Sequence, residues 1–254
     1  MTKNLLTNSL TLTALCSALT FAAPTFANEV QPSWEASAGL GFSLTSGNTD
    51  TTSVTTNIHA IQYLETWEMD YKFDGIKQEN EGKSTADNKN YAVKGQYKLE
   101  DETAFLFVEG KRKEDDFGPF AKQNTISLGY GQQLFESEDV LIRANIGPGF
   151  TTYKFNQTSE DDQAQEKDSS SIVHVAGNLK WKISESADFT QSLVFDQQLS
   201  DDKNLMVVSQ STLGAKINGS LKMTLDVKIT NNSDVQEDKK KTDTITSVNL
   251  VYSF

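Results

Sequence analysis

The chain has 254 residues, 23 Lys and Arg against 35 Asp and Glu, and a formal net charge of -12. An acidic chain with no basic tract is a poor partner for nucleic acid, and its lone cysteine, Cys16, leaves no disulfide framework and no Cys-based metal site. Beyond residue 27 no apolar run exceeds the five residues Ala104 to Val108, which excludes a transmembrane helix but not strands that are apolar on one face only.

The first segment sets the compartment. Lys3 precedes a mostly apolar stretch from Leu5 to Ala22, followed by Pro24 and Thr25-Phe26-Ala27. A charged start, a greasy middle and a small residue at the end make a secretory signal, with cleavage expected after Ala27. The bulky Leu15 beside Cys16 argues against a lipoprotein signal. Removing residues 1 to 27 leaves 254 − 27 = 227 residues, and because only Lys3 is lost among the charges the balance becomes -13.

From there the chain alternates with period two, which a helix of period 3.6 cannot do. Trp34, Ala36, Ala38, Leu40, Phe42 and Leu44 share one face, and a turn is expected at Ser46 to Asp50. Val54, Ile58, Ala60 and Leu64 mark the second strand, with Asn57 and His59 opposite. Trp67, Met69, Tyr71 and Phe73 oppose Glu68, Asp70, Lys72 and Asp74 in the third. The polar segment Gln78 to Asn88 is expected as a connection before Tyr91, Val93, Tyr97 and Leu99. Ala104 to Arg112 is a strand whose phase the pattern does not fix, with Leu106 and Val108 the better outward set and Glu109 and Lys111 the better inward one.

A loop at Asp115 to Phe120 leads to Ile126, Leu128, Tyr130 and Leu134. Val140, Ile142, Ala144, Ile146 and Phe150 then oppose Arg143 and Asn145. Pro148 cannot donate to a ladder, so it is expected at a bulge or strand end near the outer rim. After the polar stretch Thr158 to Ser169 come Val173, Val175, Leu179 and Trp181, opposed by His174, Asn178, Lys180 and Lys182. Phe189, Leu193 and Phe195, then Leu205, Val207, Leu213 and Ile217, and then Leu221 to Ile229 give three more strands.

The last strand ends on aromatics: Thr244, Thr246, Val248, Leu250, Tyr252 and Phe254 share a face that grows more apolar toward the end. Val248, Leu250, Tyr252 and Phe254 resemble the C-terminal signal by which bacterial outer-membrane barrels are recognised by their assembly machinery. The alternative is the final strand of a soluble β-sandwich.

Twelve strands of about ten residues fit a tilted membrane strand of ~9–11. Even-numbered connections are short and odd ones longer and more polar, except for Ser46 to Asp50, as in a barrel with turns at one rim and loops at the other. Lipid cannot satisfy an unpaired peptide group, so a spanning sheet must close. The expected fold is therefore all-β: a transmembrane antiparallel up-and-down barrel over 28–254, preceded by a cleaved signal over 1–27, in the bacterial outer membrane. The outward faces are expected to carry almost no charge.

The inward faces carry Glu35, Glu68, Asp70, Asp74, Asp196 and Asp226 against Lys72, Lys94, Lys98, Arg143, Lys180, Lys182, Lys216, Lys222 and Lys228, or 9 − 6 = +3 with the fifth strand left out. Glu68, Asp70, Lys72, Arg143, His174, Lys180, Asp226 and Lys228 are the candidate lumen residues. Such an interior fits a small pore for ions or solutes with weak anion preference. It equally fits a lumen filled by paired side chains, in a structural or surface-interaction protein of the envelope. An outer-membrane lipid-cleaving enzyme is the third reading. It is disfavoured because His59 and His174 are both assigned inward and neither belongs to a Ser/His constellation. No cofactor or metal is expected. The acidic loop residues Glu160, Asp161, Asp162, Glu166 and Asp168 lack the spacing of a Ca²⁺ loop. Expected partners are outer-membrane lipid and lipopolysaccharide, which Lys239-Lys240-Lys241 could touch, together with the barrel-assembly machinery and small ions or solutes.

Local motifs add to the periodicity: Gly39-x-Gly41 leading to Thr45-Ser46-Gly47-Asn48-Thr49, Lys113-Glu114-Asp115-Asp116-Phe117, Gly129-Tyr130-Gly131, and Asn145-Ile146-Gly147-Pro148-Gly149-Phe150. In order and spacing they resemble the YdiY-like salt-induced outer-membrane protein family, a domain of unknown function (number 481), from about Trp34 to Phe254. The resemblance implies an outer-membrane barrel and supplies no catalytic residues.

Overall fold

The computed structural model describes residues 33–46, 51–80, 83–100, 103–117, 120–155, 167–200, 204–233 and 240–254. The signal segment with Cys16 and Ala27, most of the Thr158 to Ser169 loop, and Lys239 lie outside them. Twelve strands run in chain order: β1 (Trp34–Ser46), β2 (Thr51–Tyr63), β3 (Trp67–Asn80), β4 (Lys83–Lys98), β5 (Ala104–Asp115), β6 (Phe120–Glu136), β7 (Val140–Phe155), β8 (Lys167–Lys182), β9 (Ala187–Gln198), β10 (Leu205–Lys216), β11 (Leu221–Asn232) and β12 (Thr242–Ser253). Each pairs antiparallel with its neighbour in sequence, and β1 pairs with β12, from Ser37↔Ser253 to Ser46↔Thr244, so the sheet closes into a barrel. Closure gives every strand two partners and leaves no edge.

The pleat sorts the side chains as the alternation requires. Leu40, Phe42 and Leu44 of β1 are 65, 69 and 62% exposed, and the same holds for Leu106, Ile126, Leu128, Ile146, Leu225 and Leu250 around the wall. Apolar side chains this open, in a continuous band, are the surface a bilayer covers. Aromatics ring the rim that carries the ends of β1 and β12, here the near rim. Trp34 stacks on Tyr71 at 5.9 Å, Trp67 meets Tyr97 edge-on at 5.4 Å, and Tyr252 meets Phe254 at 5.0 Å. Toward the far rim Phe73 and Tyr91 pair at 5.1 Å.

Three expectations change. The strands are 12 to 17 residues long rather than about ten. β3 reaches Asn80 and β4 starts at Lys83, so most of the polar segment Gln78 to Asn88 belongs to the ladder, with a bulge at Gln78/Glu79. Beyond the membrane both faces are wet, and a strand there needs no apolar alternation to betray it. The connections are therefore sorted less clearly by length than expected, because at the far rim the strands themselves carry the excess.

Pro148 marks neither a bulge nor a strand end. It sits in the middle of β7 opposite Val173, and the β6–β7 register is unchanged on either side, Ser127↔Gly149 and Tyr130↔Ile146. The physical cause lies in its neighbours. A Cβ on Gly147 would fall 1.9 Å from the Leu128 carbonyl oxygen, and one on Gly129 would fall 2.2 Å from that of Ile146. The two backbones approach too closely there for any other residue, so the ladder is already disturbed where proline withholds its N–H.

The third change concerns charge. The apolar band is free of it, but above Tyr91 the outward positions of β3 to β7 carry Lys77, Lys89, Arg112, Lys122 and Lys154, each fixed outward by its register.

Candidate functional site

The barrel interior gathers the remaining polar chemistry, and its two sides are built differently. On β5 the phase is settled: Leu106 and Val108 face out, while Phe105, Phe107, Glu109 and Lys111 face in. Inward aromatics need floor space. Phe105 and Phe107 are register partners of Gly131 and Gly129, and a Cβ on Gly131 would lie 2.2 Å from the Phe105 ring. Gly147 in turn is the partner of His174. Phe107 and His174 thus meet over a strip without side chains, ring centres 5.9 Å apart.

Around them Phe107, Ile172, His174, Ala176 and Asp196 are all buried. His174 Nδ1 lies 2.6 Å from Asp196 Oδ1, and its Nε2 faces Glu109 at 3.8 Å. Lys94 lies over Phe105 and Phe107, 5.8 and 5.1 Å from their centres. The place a nucleophile's hydroxyl would need beside Nε2 is held by a carboxylate.

Toward the near rim a bar crosses the lumen. Arg143 of β7 reaches Glu68 of β3 at 3.3 Å, and Gln96 donates to the same Glu68 oxygen at 2.9 Å. These strands are not neighbours, so the pair spans open space.

The side formed by β10 to β12 and β1 to β4 is wetter. Asp70 accepts from His59 and Lys72, both at 3.0 Å. Asp226 bonds Thr212, Thr224 and Asn249 at 2.5, 2.8 and 2.9 Å. Thr55 of β2 donates to Asn249 of β12 at 2.6 Å, passing over Gly41 of β1. The charges of Asp74 on β3 and Lys228 on β11 act on each other across the lumen. Lys72 is mid-strand and inward by register, yet its side chain is 51% exposed; that of Lys113, also inward, is 46% exposed. Lys180 is inward and open close to the near rim.

All eight sequence-assigned lumen residues thus face inward, and so do both histidines. Glu68 and Arg143 are brought together, as are Asp70 and Lys72. The expected charge excess is not retained. Asp168, Asp188 and Asp243 also occupy inward register positions and offset the +3, Glu136 at the near end of β6 adds one more negative charge, and Glu109, Lys111, Lys113 and Asp115 cancel among themselves. Asp188, expected in a turn, bonds Lys222 at 3.2 Å across Gly214. Sequence reasoning missed the Phe105–Phe107–His174 wall. Its signal was the inward pairing of glycines on β6 and β7.

The family model described as "Protein of unknown function, DUF481" matches residues 38–254. The chain belongs to this family. The glycines of the Gly39-x-Gly41, Gly129-Tyr130-Gly131 and Gly147-Pro148-Gly149 motifs all occupy inward register positions, on β1, β6 and β7. No curated protein matches the chain. Among solved structures, the NanC porin is 9% identical, with a TM-score of 0.53 over 85% of this chain and 98% of that one. An outer-membrane channel from Pseudomonas putida F1 is 10% identical, TM-score 0.50, over 91 and 100%. The translocator domain of the autotransporter NalP from Neisseria meningitidis is 8% identical, TM-score 0.50, over 87 and 88%. At these identities the likeness is one of fold: the chain is an outer-membrane-type β-barrel.

Proposed function

We propose that the chain, cleaved after Ala27, resides in the bacterial outer membrane and forms a narrow pore for ions and small solutes. The near rim with both termini faces the periplasm, and Val248, Leu250, Tyr252 and Phe254 serve as the assembly signal. The observation that carries the pore reading is Lys72: an inward, mid-strand side chain that is half exposed lies against water, not packing. The near-neutral interior favours weak ion selectivity in place of the anion preference that +3 implied.

One observation favours a second reading. The Arg143–Glu68 bar and the packed Phe107–His174 wall narrow the same lumen, as in a non-conducting envelope protein. Single-channel recording of refolded mature protein in a planar bilayer decides between them. Small discrete steps of weak selectivity, enlarged in the double variant Arg143→Ala/Glu68→Ala, support the pore. Folded, heat-modifiable protein that is silent with and without the bar overturns it.

A further inference from the structure

The charge on the outer wall is confined to one sector. Among the described side chains, every Lys, Arg, Asp or Glu that faces outward from a strand lies on β3 to β7. The five cations there are Lys77, Lys89, Arg112, Lys122 and Lys154. The facing acids are Asp87, which Lys89 meets at 2.8 Å, and Glu114, which Arg112 and Lys122 meet at 2.5 and 3.8 Å. Asp116 of the adjoining turn also acts on Lys89. Five against three leaves +2, in a chain of formal charge -12.

The height of the patch matters as much as its sign. Arg112 is the register partner of Tyr91, whose ring belongs to the far aromatic pair, and the other cations lie farther toward the far rim. Below Arg112 the wall is apolar, with Val93, Val108 and Leu128 exposed. A shallow groove runs past Gly110, with Tyr91, Val93 and Arg112 along it, and a Cβ added to Gly110 would meet nothing within 4 Å. Among the described side chains, the outward strand positions of β9 to β12, β1 and β2 carry no charge, while Lys167 of β8 is the register partner of Lys154 at the border of the cationic sector.

We infer that this sector binds a phosphorylated glycolipid of the outer leaflet, with the phosphates on Lys89, Arg112 and Lys122 and an acyl chain along the Gly110 groove. Arginine and lysine at headgroup height above an apolar wall match a molecule that is anionic at one end and greasy at the other. Cations placed there only for solubility would have no reason to avoid the described outward positions of six strands, β9 to β12, β1 and β2. The inference rests on the outer-membrane reading of the fold.

The test uses the mature barrel in detergent micelles, titrated with bisphosphorylated lipid A, with fully dephosphorylated lipid A, and with inorganic phosphate as competitor. Wild type should bind the bisphosphorylated form, and the triple variant Lys89→Gln/Arg112→Gln/Lys122→Gln should bind it roughly 10- to 100-fold more weakly. The lumen variant Lys72→Gln should bind like wild type. Heat-modifiable migration establishes that each variant is folded. Equal affinity of the triple variant, or equal affinity for the dephosphorylated lipid, overturns the site. Displacement by millimolar inorganic phosphate alone would make it a free-phosphate site and overturn the lipid assignment. A chain that stays soluble without detergent and never shows heat-modifiable migration overturns the outer-membrane reading itself, a result distinguishable from a folded barrel that ignores phosphate.

Discussion

The two sides of the lumen obey the same inward alternation and yet are different materials. On the β5 to β9 side Phe107, Ile172, His174 and Asp196 are packed like the core of a soluble protein. On the β2 to β4 side Lys72 stands half in water beside Asp70. What separates them is what lies underneath. Gly129, Gly131 and Gly147 clear a floor on which large rings lie flat, whereas His59 and Lys72 stand beside each other, with Ser37 and Ala92 on their other sides. An interior wall becomes a core where apolar rings lie over such glycines, and stays wet where polar side chains such as Asn57 and Asn249 lie over Gly39 and Gly41.

The largest break in that contrast is Gly147→Leu. Its Cβ would sit 1.9 Å from a backbone oxygen that no rotamer change can move, so the expected outcome is no heat-modifiable barrel on refolding. Next is Phe107→Ala, which leaves a void on the packed side. Urea unfolding in micelles should show a loss of about 3–5 kcal/mol. Asp196→Ala leaves His174 Nδ1 buried without its acceptor and should cost about 1–3 kcal/mol in the same assay. A double-mutant cycle with His174→Ala measures how much of that is coupling. The smallest effect on folding belongs to the wet side: Lys72→Ala should change stability by less than about 0.5 kcal/mol. In the pore reading the same substitution shifts reversal potential in a salt gradient, while Phe107→Ala shifts it little.

The barrel itself was legible because a membrane strand advertises its phase: lipid tolerates apolar residues only, so Trp67, Met69, Tyr71 and Phe73 cannot exchange faces with Glu68, Asp70, Lys72 and Asp74. The same rule explains where legibility ended. Above the bilayer nothing punishes a polar residue on either face, so the ladder residues Gln78–Asn80 and Lys83–Asn88 read as a loop, and the outward set Lys89, Arg112 and Lys122 carried no pattern to mark it. In Ala104 to Val108 both faces are apolar, one for lipid and one for the glycine floor, and only the register separates them. The Arg143–Glu68 bar joins positions on opposite walls, and its geometry depends on how the closed cylinder is staggered, which no single strand encodes.

The seam between β1 and β12 has a kinetic consequence. The eleven other pairings join strands adjacent in the chain and can form as successive hairpins, whereas Ser37 must find Ser253, 253 − 37 = 216 positions away. Bringing ends that far apart together costs roughly 5 kcal/mol of chain entropy beyond a constant. A search of that length can end in the wrong place, and a slip of one residue would turn every side chain of β12 to the opposite face. The Thr55–Asn249 bond over bare Gly41 forms only when β12 has arrived in step, because any slip replaces Asn249 at that place. A hydrogen bond one strand beyond the seam therefore works as a check on registration, rewarding the correct closure after the slowest event in the assembly of the cylinder.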